Sequence, residues 1–457
     1  MNIPETIFKA YDIRGIVNEE LTPELVEKIG QAIGSESISK KERNIVIARD
    51  GRLSGPWLME SLKIGLKKTG CHIVDIGVVP TPVLYYATHT KGATTGIMIT
   101  GSHNPPQYNG FKIMIAGETL SGNRIQELKN RIIKNNLLTG SGTSTKIDIE
   151  EDYIQEITNT VPIKKKLKIV VDCGNGVAGK IAPILFKKMG CEVIELFCDI
   201  DGNFPNHHPD PSQPKNLIDL QNAVKKYNAD CGFAFDGDGD RLGVIDNKLN
   251  IIWSDRQIML YAKDILSRNP KATIVFDVKC TNDLSKEIEK NNGIPVISRT
   301  GHSFIKAKIK EVNALLGGEM SGHIFFKERW YGFDDALYTG ARLLEILSNT
   351  NQNCYEIFNN FPNKFNTPEI QIKFNNEGEQ FKAVEKLKKT VDFPNATIID
   401  IDGIRLEFSD AWGLVRASNT TPCLVLRFEG NTEKALENII QKFKLWFEKT
   451  NISWCLK

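Results

Sequence analysis

Asp236-Gly237-Asp238-Gly239-Asp240-Arg241 packs three carboxylates into one short loop and follows them with an arginine. Two carboxylates about 5 Å apart repel by about 3 kcal/mol at an effective dielectric of about 20, so three together call for a cation or for protonation. Oxygen-only donors separated by glycine suit Mg²⁺, which takes few carboxylates and leaves room for a phosphate oxygen. An EF-hand is excluded by position: counting from Asp236, Arg241 stands where glycine is needed and Asn247 where glutamate is needed. A second stretch, Thr100-Gly101-Ser102-His103-Asn104-Pro105-Pro106, follows the apolar run Gly96 to Ile99. The prolines forbid a helix there, and Gly101 lets the chain turn just before Ser102, leaving a hydroxyl at a loop apex.

Further along, Gly318-Glu319-Met320-Ser321-Gly322-His323 offers polar contacts, and Arg416-Ala417-Ser418-Asn419-Thr420-Thr421-Pro422 offers a guanidinium, hydroxyls, an amide and backbone N–H groups, as a phosphate monoester needs. Lys112 lies close enough in sequence to share the Ser102 cleft, as a proton carrier if its pKa is lowered, or as a charge. His103, His302 and His323 are candidates for proton transfer or phosphate contact, and Tyr11 and Arg14 form an aromatic-basic stretch near the N-terminus. A dinucleotide-type fingerprint, Gly174-Asn175-Gly176-Val177-Ala178-Gly179 with Glu195 downstream, would support a nicotinamide enzyme if it stood alone.

The elements that must position these residues recur. Asn44 to Gly51, a helix over about Trp57 to Thr69, then Gly70 to Ile76 read as strand, turn, helix, glycine, strand. Lys168 to Gly174 with Gly190 to Leu196, and Thr273 to Lys279 with Gly293 to Ile297, repeat the pattern. The glycine-rich fingerprint is thereby the structural turn of the second copy. Three such units predict three successive α/β domains, with functional turns at the carboxyl ends of strands. A helix is expected over Pro23 to Ile33, and junctions at the Ser/Thr/Gly-rich stretch 139–145, near 247–250, and over 349–368. After the last junction come short strands, a helix over about Gly378 to Lys389 and an amphipathic helix over about Glu433 to Lys449, a smaller α+β domain. The expected division is 1–147, 148–250, 251–362 and 363–457.

Composition narrows the classes. The chain has 457 residues, 41% hydrophobic and 25% charged, with a net charge of +2, so no broad field awaits nucleic acid or an anionic membrane. Nine scattered cysteines without a Cys-x-x-Cys pair suit reduced thiols, and no long apolar run or basic leader is present, so the expectation is a cytoplasmic protein.

In this order, the Ser102 loop, the three-aspartate loop, the Glu319 loop and the Arg416 segment resemble the α-D-phosphohexomutase superfamily, and within it the bacterial phosphomannomutase/phosphoglucomutase group. The resemblance implies three similar α/β domains and a smaller fourth around a central cleft. It implies a phosphoserine at Ser102, and one Mg²⁺ on Asp236, Asp238, Asp240 and an oxygen of that phosphoserine, with Arg241 helping to hold the site. It assigns Lys112 and His103 to catalysis and gives substrate contacts to Tyr11, Arg14, Lys279, His302, Glu319, Ser321, His323, Arg416, Ser418, Asn419 and Thr420. Relatives often carry arginine soon after the match to Lys279; here Asn282 and Asp283 stand there. The implied activity is reversible phosphoryl transfer between O1 and O6 of mannose or glucose phosphates through a hexose 1,6-bisphosphate, by a monomer with no nucleic-acid partner. Rival readings are a phosphoglucosamine mutase, a metal-dependent sugar-phosphate phosphatase and a non-catalytic sugar-phosphate binder.

Overall fold

The structure is a computed structural model and describes residues 3–419 and 421–454. The first repeat forms parallel strands in the spatial order His72–Val78, Asn44–Arg49, Thr95–Ile99, and Tyr108–Ile115 returns antiparallel beside the last. The second repeats that order with Glu192–Leu196, Lys168–Asp172 and Cys231–Phe235, followed by antiparallel Leu242–Asp246. The third does so again with Ile294–Ser298, Thr273–Asp277 and Leu316–Gly318, followed by antiparallel Ile324–Phe326. Thr95–Ile99 and Cys231–Phe235 are buried along their whole length, as parallel strands covered on both faces must be.

This common order has one consequence for function. The turn joining the third parallel strand to its antiparallel neighbour carries Ser102 in the first unit, Asp236 to Asp240 in the second and Glu319 to His323 in the third. Three motifs that look unrelated in sequence occupy one topological position. Arg241 and His323 form an isolated antiparallel bridge, so two of these turns are joined through their backbones.

Two local expectations need amendment. The first long helix runs from Pro23 to Ser39 instead of ending near Ile33. Its polar tail, Gly34-Ser35-Glu36-Ser37, looks like a helix end, yet Ser35 and Ser37 are buried, and a Cβ on Gly34 would lie 2.3 Å from Oγ1 of Thr69. Close contact with Thr69, a hydrogen bond that Ser35 accepts from the Leu138 N–H and one that Ser37 donates to the Glu42 carbonyl explain those small residues. The stretch 139–145, read as a junction, runs into strand Thr143–Lys146, which adds a parallel edge to His72–Val78.

The C-terminal unit is antiparallel, with Phe365–Asn366, Cys423–Gly430, Ala411–Ala417, Ile404–Glu407 and Thr397–Ile399 side by side, and Ile370–Lys373 also paired to Cys423–Gly430. Helices Glu379–Lys389 and Glu433–Lys449 cover it, and Phe443, Trp446 and Phe447 are buried in its own core. Its seat on the third unit is buried and mixed, with Val278 packed against Trp412 and Leu414 and a guanidinium beside them. Arg405 stacks on Trp412 at 3.9 Å and donates to the carbonyls of Val278 at 2.6 Å and Cys280 at 2.7 Å.

The three α/β units meet through an aromatic cluster. Trp330 stacks on Tyr338 with centroids 4.4 Å apart, Tyr86 stacks on the same indole at 6.0 Å, and Tyr153 donates to Asp335 at 2.9 Å. Such ring pairs contribute about 0.5–1.5 kcal/mol each beyond the area they bury. They fix the relative placement of the units, and with it the shape of the cleft.

Candidate active site

The strand Thr95–Ile99 delivers Ser102 to the cleft floor, where it is 2% exposed with φ of 48°. Its Oγ donates to Oδ2 of Asp236 at 3.0 Å and lies 3.1 Å from Nδ1 of His103. Its backbone N–H donates to Oγ1 of Thr100 at 2.7 Å. The approach of the acidic loop explains a glycine: a Cβ on Gly237 would sit 2.3 Å from the Ser102 carbonyl oxygen.

Asp236, Asp238 and Asp240 are completely buried, and one oxygen from each can be chosen so that all three lie within 4.8 Å of one another. Oδ1 of Asp236 accepts the N–H groups of Asp240 at 3.0 Å and Arg241 at 3.2 Å. Oδ1 of Asp238 and Oδ1 of Asp240 have no hydrogen-bond partner. Two orphaned carboxylate oxygens beside a third carboxylate are what a hard divalent cation satisfies, so these residues fit a metal ion. Burial and then its two acidic neighbours push Asp236 well above the usual carboxylate range. Burial would raise Asp238 as well, but Lys112 outweighs it and holds that carboxyl below the range.

Lys112 reaches this loop from strand Tyr108–Ile115, pairing with Asp238 at 2.6 Å and with Asp240. Burial alone would lower its ammonium, yet Asp238 and Asp240 outweigh that and hold it well above the ordinary value. Of the two roles open to Lys112, its surroundings favour a fixed charge over a proton carrier. Thr81 also serves the loop, donating its hydroxyl to Oδ2 of Asp238 at 2.5 Å.

His103 and His302 are held neutral, the first by burial and the nearby Arg241 and Arg14, the second by burial and Lys306. His323 is placed by its two sides. Nε of Arg241 donates to Nε2 of His323 at 2.9 Å, which puts the ring proton on Nδ1, 3.0 Å from Oδ2 of Asp334. Asp334 also accepts from Lys306 at 3.0 Å and lies 3.5 Å from Nδ1 of His302.

Opposite the acidic loop, Oε1 of Glu319 accepts from the N–H of Gly301 at 3.1 Å and Oε2 from the Ser321 hydroxyl at 3.1 Å. The basic rim is Arg14, Lys279 and Arg416, each held by a carboxylate: Asp12 at 2.5 Å, Glu369 at 2.6 Å and Asp402 at 2.9 Å respectively. Tyr11 donates to the carbonyl of Thr300 at 2.9 Å and accepts from the Asn419 amide, tying the first, third and fourth units together. Ser418 lies beside Thr421 in the same segment, their hydroxyls 3.1 Å apart. Thr420 lies outside the described residues. Asn282 and Asp283 are met by Lys364, 3.2 and 2.7 Å away, so that edge is neutralised from the linker.

The expected site residues among those described line one cleft of about 650 Å³, except Asp236, Asp238 and Asp240, which are buried behind Ser102 and Lys112. Reasoning from sequence missed Asp334, Lys306, Asp402, Glu369 and Thr81. Only Asp334 had a signal: Asp334-Asp335 precedes a helical run, and Asp335 caps it by accepting from the Tyr338 N–H at 2.9 Å.

A buried serine facing a cation-fitting acidic loop, across a cleft rimmed by basic side chains, defines a phosphoryl-transferring enzyme on a repeated α/β scaffold. Four family models match in order. They are the phosphoglucomutase/phosphomannomutase alpha/beta/alpha domains I over 5–138, II over 151–249 and III over 253–365, and the C-terminal domain over 369–445. The chain belongs to this phosphoglucomutase/phosphomannomutase family and is by that membership a phosphohexomutase, an isomerase. It is 54% identical over 442 residues to the phosphomannomutase/phosphoglucomutase of Pseudomonas aeruginosa, covering 97% of this chain and 95% of that one. It is 50% identical over 459 residues to the phosphoglucomutase of Neisseria meningitidis, with full coverage of both. A crystal structure of a phosphoglucomutase/phosphomannomutase family protein from Burkholderia thailandensis superposes with a TM-score of 0.94 at 47% identity over the whole of both chains. Among the described residues no helix is long and apolar enough to cross a membrane.

Proposed function

We propose that the enzyme moves a phosphoryl group reversibly between O1 and O6 of mannose and glucose phosphates, with Ser102 as the phosphorylated carrier. The observation that carries this reading is the contact of the Ser102 hydroxyl with Asp236, 3.0 Å apart inside the acidic loop. In the forward half-reaction the bond from phosphorus to Ser102 Oγ breaks as a bond to the free sugar hydroxyl forms, giving a hexose 1,6-bisphosphate. The hydroxyl proton leaves to a neutral imidazole of the cleft. Lys112 stays charged and offsets the aspartates. The intermediate then turns and returns its other phosphate to Ser102. Arg416, Ser418 and Asn419 grip the phosphate that is not transferred, while Glu319 and Ser321 hold the 3- and 4-hydroxyls. Such chemistry is mostly positioning and charge neutralisation. Magnesium on Asp236, Asp238, Asp240 and a phosphoserine oxygen would neutralise charge on the phosphoryl oxygens.

Glucose and mannose agree at C3 and C4, so this grip supports comparable turnover of both. Met320 stands where relatives acting on glucosamine phosphates carry glutamine, which supports poorer use of the amino sugar. The scattered thiols support an enzyme working in the cytoplasm, which we read as a monomer.

Intact-mass and peptide mass spectrometry of the purified enzyme, with coupled assays on mannose, glucose and glucosamine 1-phosphates, tests the reading. The expected result is phosphate on Ser102 and loss of turnover in Ser102→Ala. Full activity in that variant with no phosphoserine would refute it, and release of inorganic phosphate in place of isomerised sugar would favour a phosphatase.

A further inference from the structure

We propose that Arg52 is the positioning residue that holds the Ser102 loop in its reactive form, from beneath and without touching substrate. Arg52 ends the turn after strand Asn44–Arg49 and is 1% exposed. Its Nη2 donates to the carbonyls of Ser102 at 2.7 Å and Asn104 at 2.5 Å, and its Nη1 to those of Pro105 at 2.8 Å and Tyr108 at 3.0 Å. Four carbonyl oxygens of one loop, that of Ser102 among them, thus converge on a single planar cation. Carbonyl dipoles pointed at one another repel, and only a group with several donors fanned in one plane gathers four of them. An ammonium has three donors on one atom and cannot reach the same set.

The amide side of the loop is held by the partner of that cation. Asp50, 3.3 Å from Nε of Arg52, accepts from the Thr100 hydroxyl at 2.8 Å and the Gly101 N–H at 3.3 Å. The Thr100 hydroxyl in turn accepts from the Ser102 N–H. Donors and acceptors on both sides of Ser102 are therefore committed to one buried ion pair. This pair holds Ser102 at φ of 48°, a left-handed conformation that is unfavourable for a residue with a side chain. With the carbonyls turned inward, the loop presents its hydroxyl outward to Asp236. The fit is close: a Cβ on Gly101 would lie 2.5 Å from Cζ of Arg52. The equivalent turn braces the motif loop in the other two units as well, through Val177 N–H to the Gly237 carbonyl at 3.2 Å and Met320 N–H to Asp277 at 3.1 Å. Among the described residues, only the first unit supplies a buried guanidinium from that turn itself; the third unit's turn is held instead by Arg405 and Arg427 of the C-terminal sheet.

The inference rests on the reading of Ser102 as phosphate carrier, and the test separates the two. In Arg52→Lys, hydrogen exchange of the segment 100–108 should rise while the remaining segments keep wild-type protection. Turnover should fall about a hundredfold or more with KM within about threefold, because a misplaced nucleophile costs rate and not binding. Loading of phosphate on Ser102 from glucose 1,6-bisphosphate should slow in parallel. If Arg52→Lys does not fold, Gly101→Ala crowds the guanidinium from the loop side with its charge intact and should show the same split. Wild-type turnover in either folded variant, or unchanged exchange over 100–108, overturns the proposal. Absence of phosphoserine from the wild-type enzyme would refute the Ser102 reading instead and leave the exchange result standing.

Discussion

Nζ of Lys279 lies 2.6 Å from Oε1 of Glu369, joining the end of a strand in the third α/β unit to the segment that enters the C-terminal sheet. Burial would raise the Glu369 carboxyl, but Lys279 outweighs it and holds the group below its usual range. On the proposed reading, in which Lys279 contacts the substrate, an incoming phosphate competes with Glu369 for this lysine. The glutamate side chain is 36% exposed, so solvent screens the pair and its worth is about 1 kcal/mol or less. Glu369→Gln should tighten binding of hexose phosphate by about two- to fivefold, measured by calorimetry, and slow product release. Weaker binding would mean that the glutamate acts as a tether for the C-terminal unit and not as a competitor.

Asp240→Asn removes one charge from the acidic loop and one partner of Lys112. Turnover should drop by about a hundredfold or more, with a shift of only a few degrees in thermal midpoint, because on the proposed reading the loop holds the cation that neutralises phosphoryl charge. Excess chelator should abolish activity in the wild type and Mg²⁺ restore it. Turnover that survives chelation would refute the ligand assignment.

Glu319 is buried and already oriented by Gly301 and Ser321. Glu319→Ala should weaken glucose 1-phosphate and mannose 1-phosphate to the same degree, because both present the same 3- and 4-hydroxyls. Steady-state kinetics on the two sugars side by side would show it. A loss confined to one of them would place the C2 position within reach of this residue.

Asp335 carries a pH signature. Burial pushes its carboxyl up to about 7, against the opposing effect of donors from Tyr338, Tyr153 and Trp330. The unfolded chain releases that proton near pH 4, so between about pH 4 and 7 the folded state binds the extra proton and its stability falls as pH rises, by at most about 1.4 kcal/mol per unit. Asp335→Asn lacks this contribution. Urea unfolding at pH 5, 6, 7 and 8 should show the wild-type advantage over the variant narrowing up to about pH 7 and then holding constant. Parallel curves would mean that Asp335 is ionised throughout.

The chain alone disclosed what depends on residue type at short range. Three carboxylates among glycines, a serine before two prolines, and apolar runs broken by glycine-capped helices are local patterns, and each implies its chemistry or its element without reference to distant contacts. The first two strands of each unit were legible because their apolar runs are long and continuous. The third and fourth strands of the third unit, Leu316–Gly318 and Ile324–Phe326, were not, since each has only three residues and no readable period. The end of the helix at Ser39 was not legible either, because its small, polar last turns are explained by distant partners, Thr69 against Gly34 and the Leu138 N–H on Ser35.

Tertiary structure alone decided which of these local groups meet. Ser102 and Asp236 are 134 positions apart in the chain, and nothing in either motif encodes their 3.0 Å contact. It arises because both stand on the same turn of a repeated unit and because the first and second units are docked through Tyr86 and Tyr153, whose rings meet edge to face at 5.5 Å. The charge state of Lys112, the tautomer of His323 and the anchoring of Arg52 likewise follow from partners contributed by other strands and units. A side chain's chemistry is a property of its type. Its pKa, its orientation and its hydrogen-bond partners are properties of the low-dielectric surroundings that only the folded chain assembles.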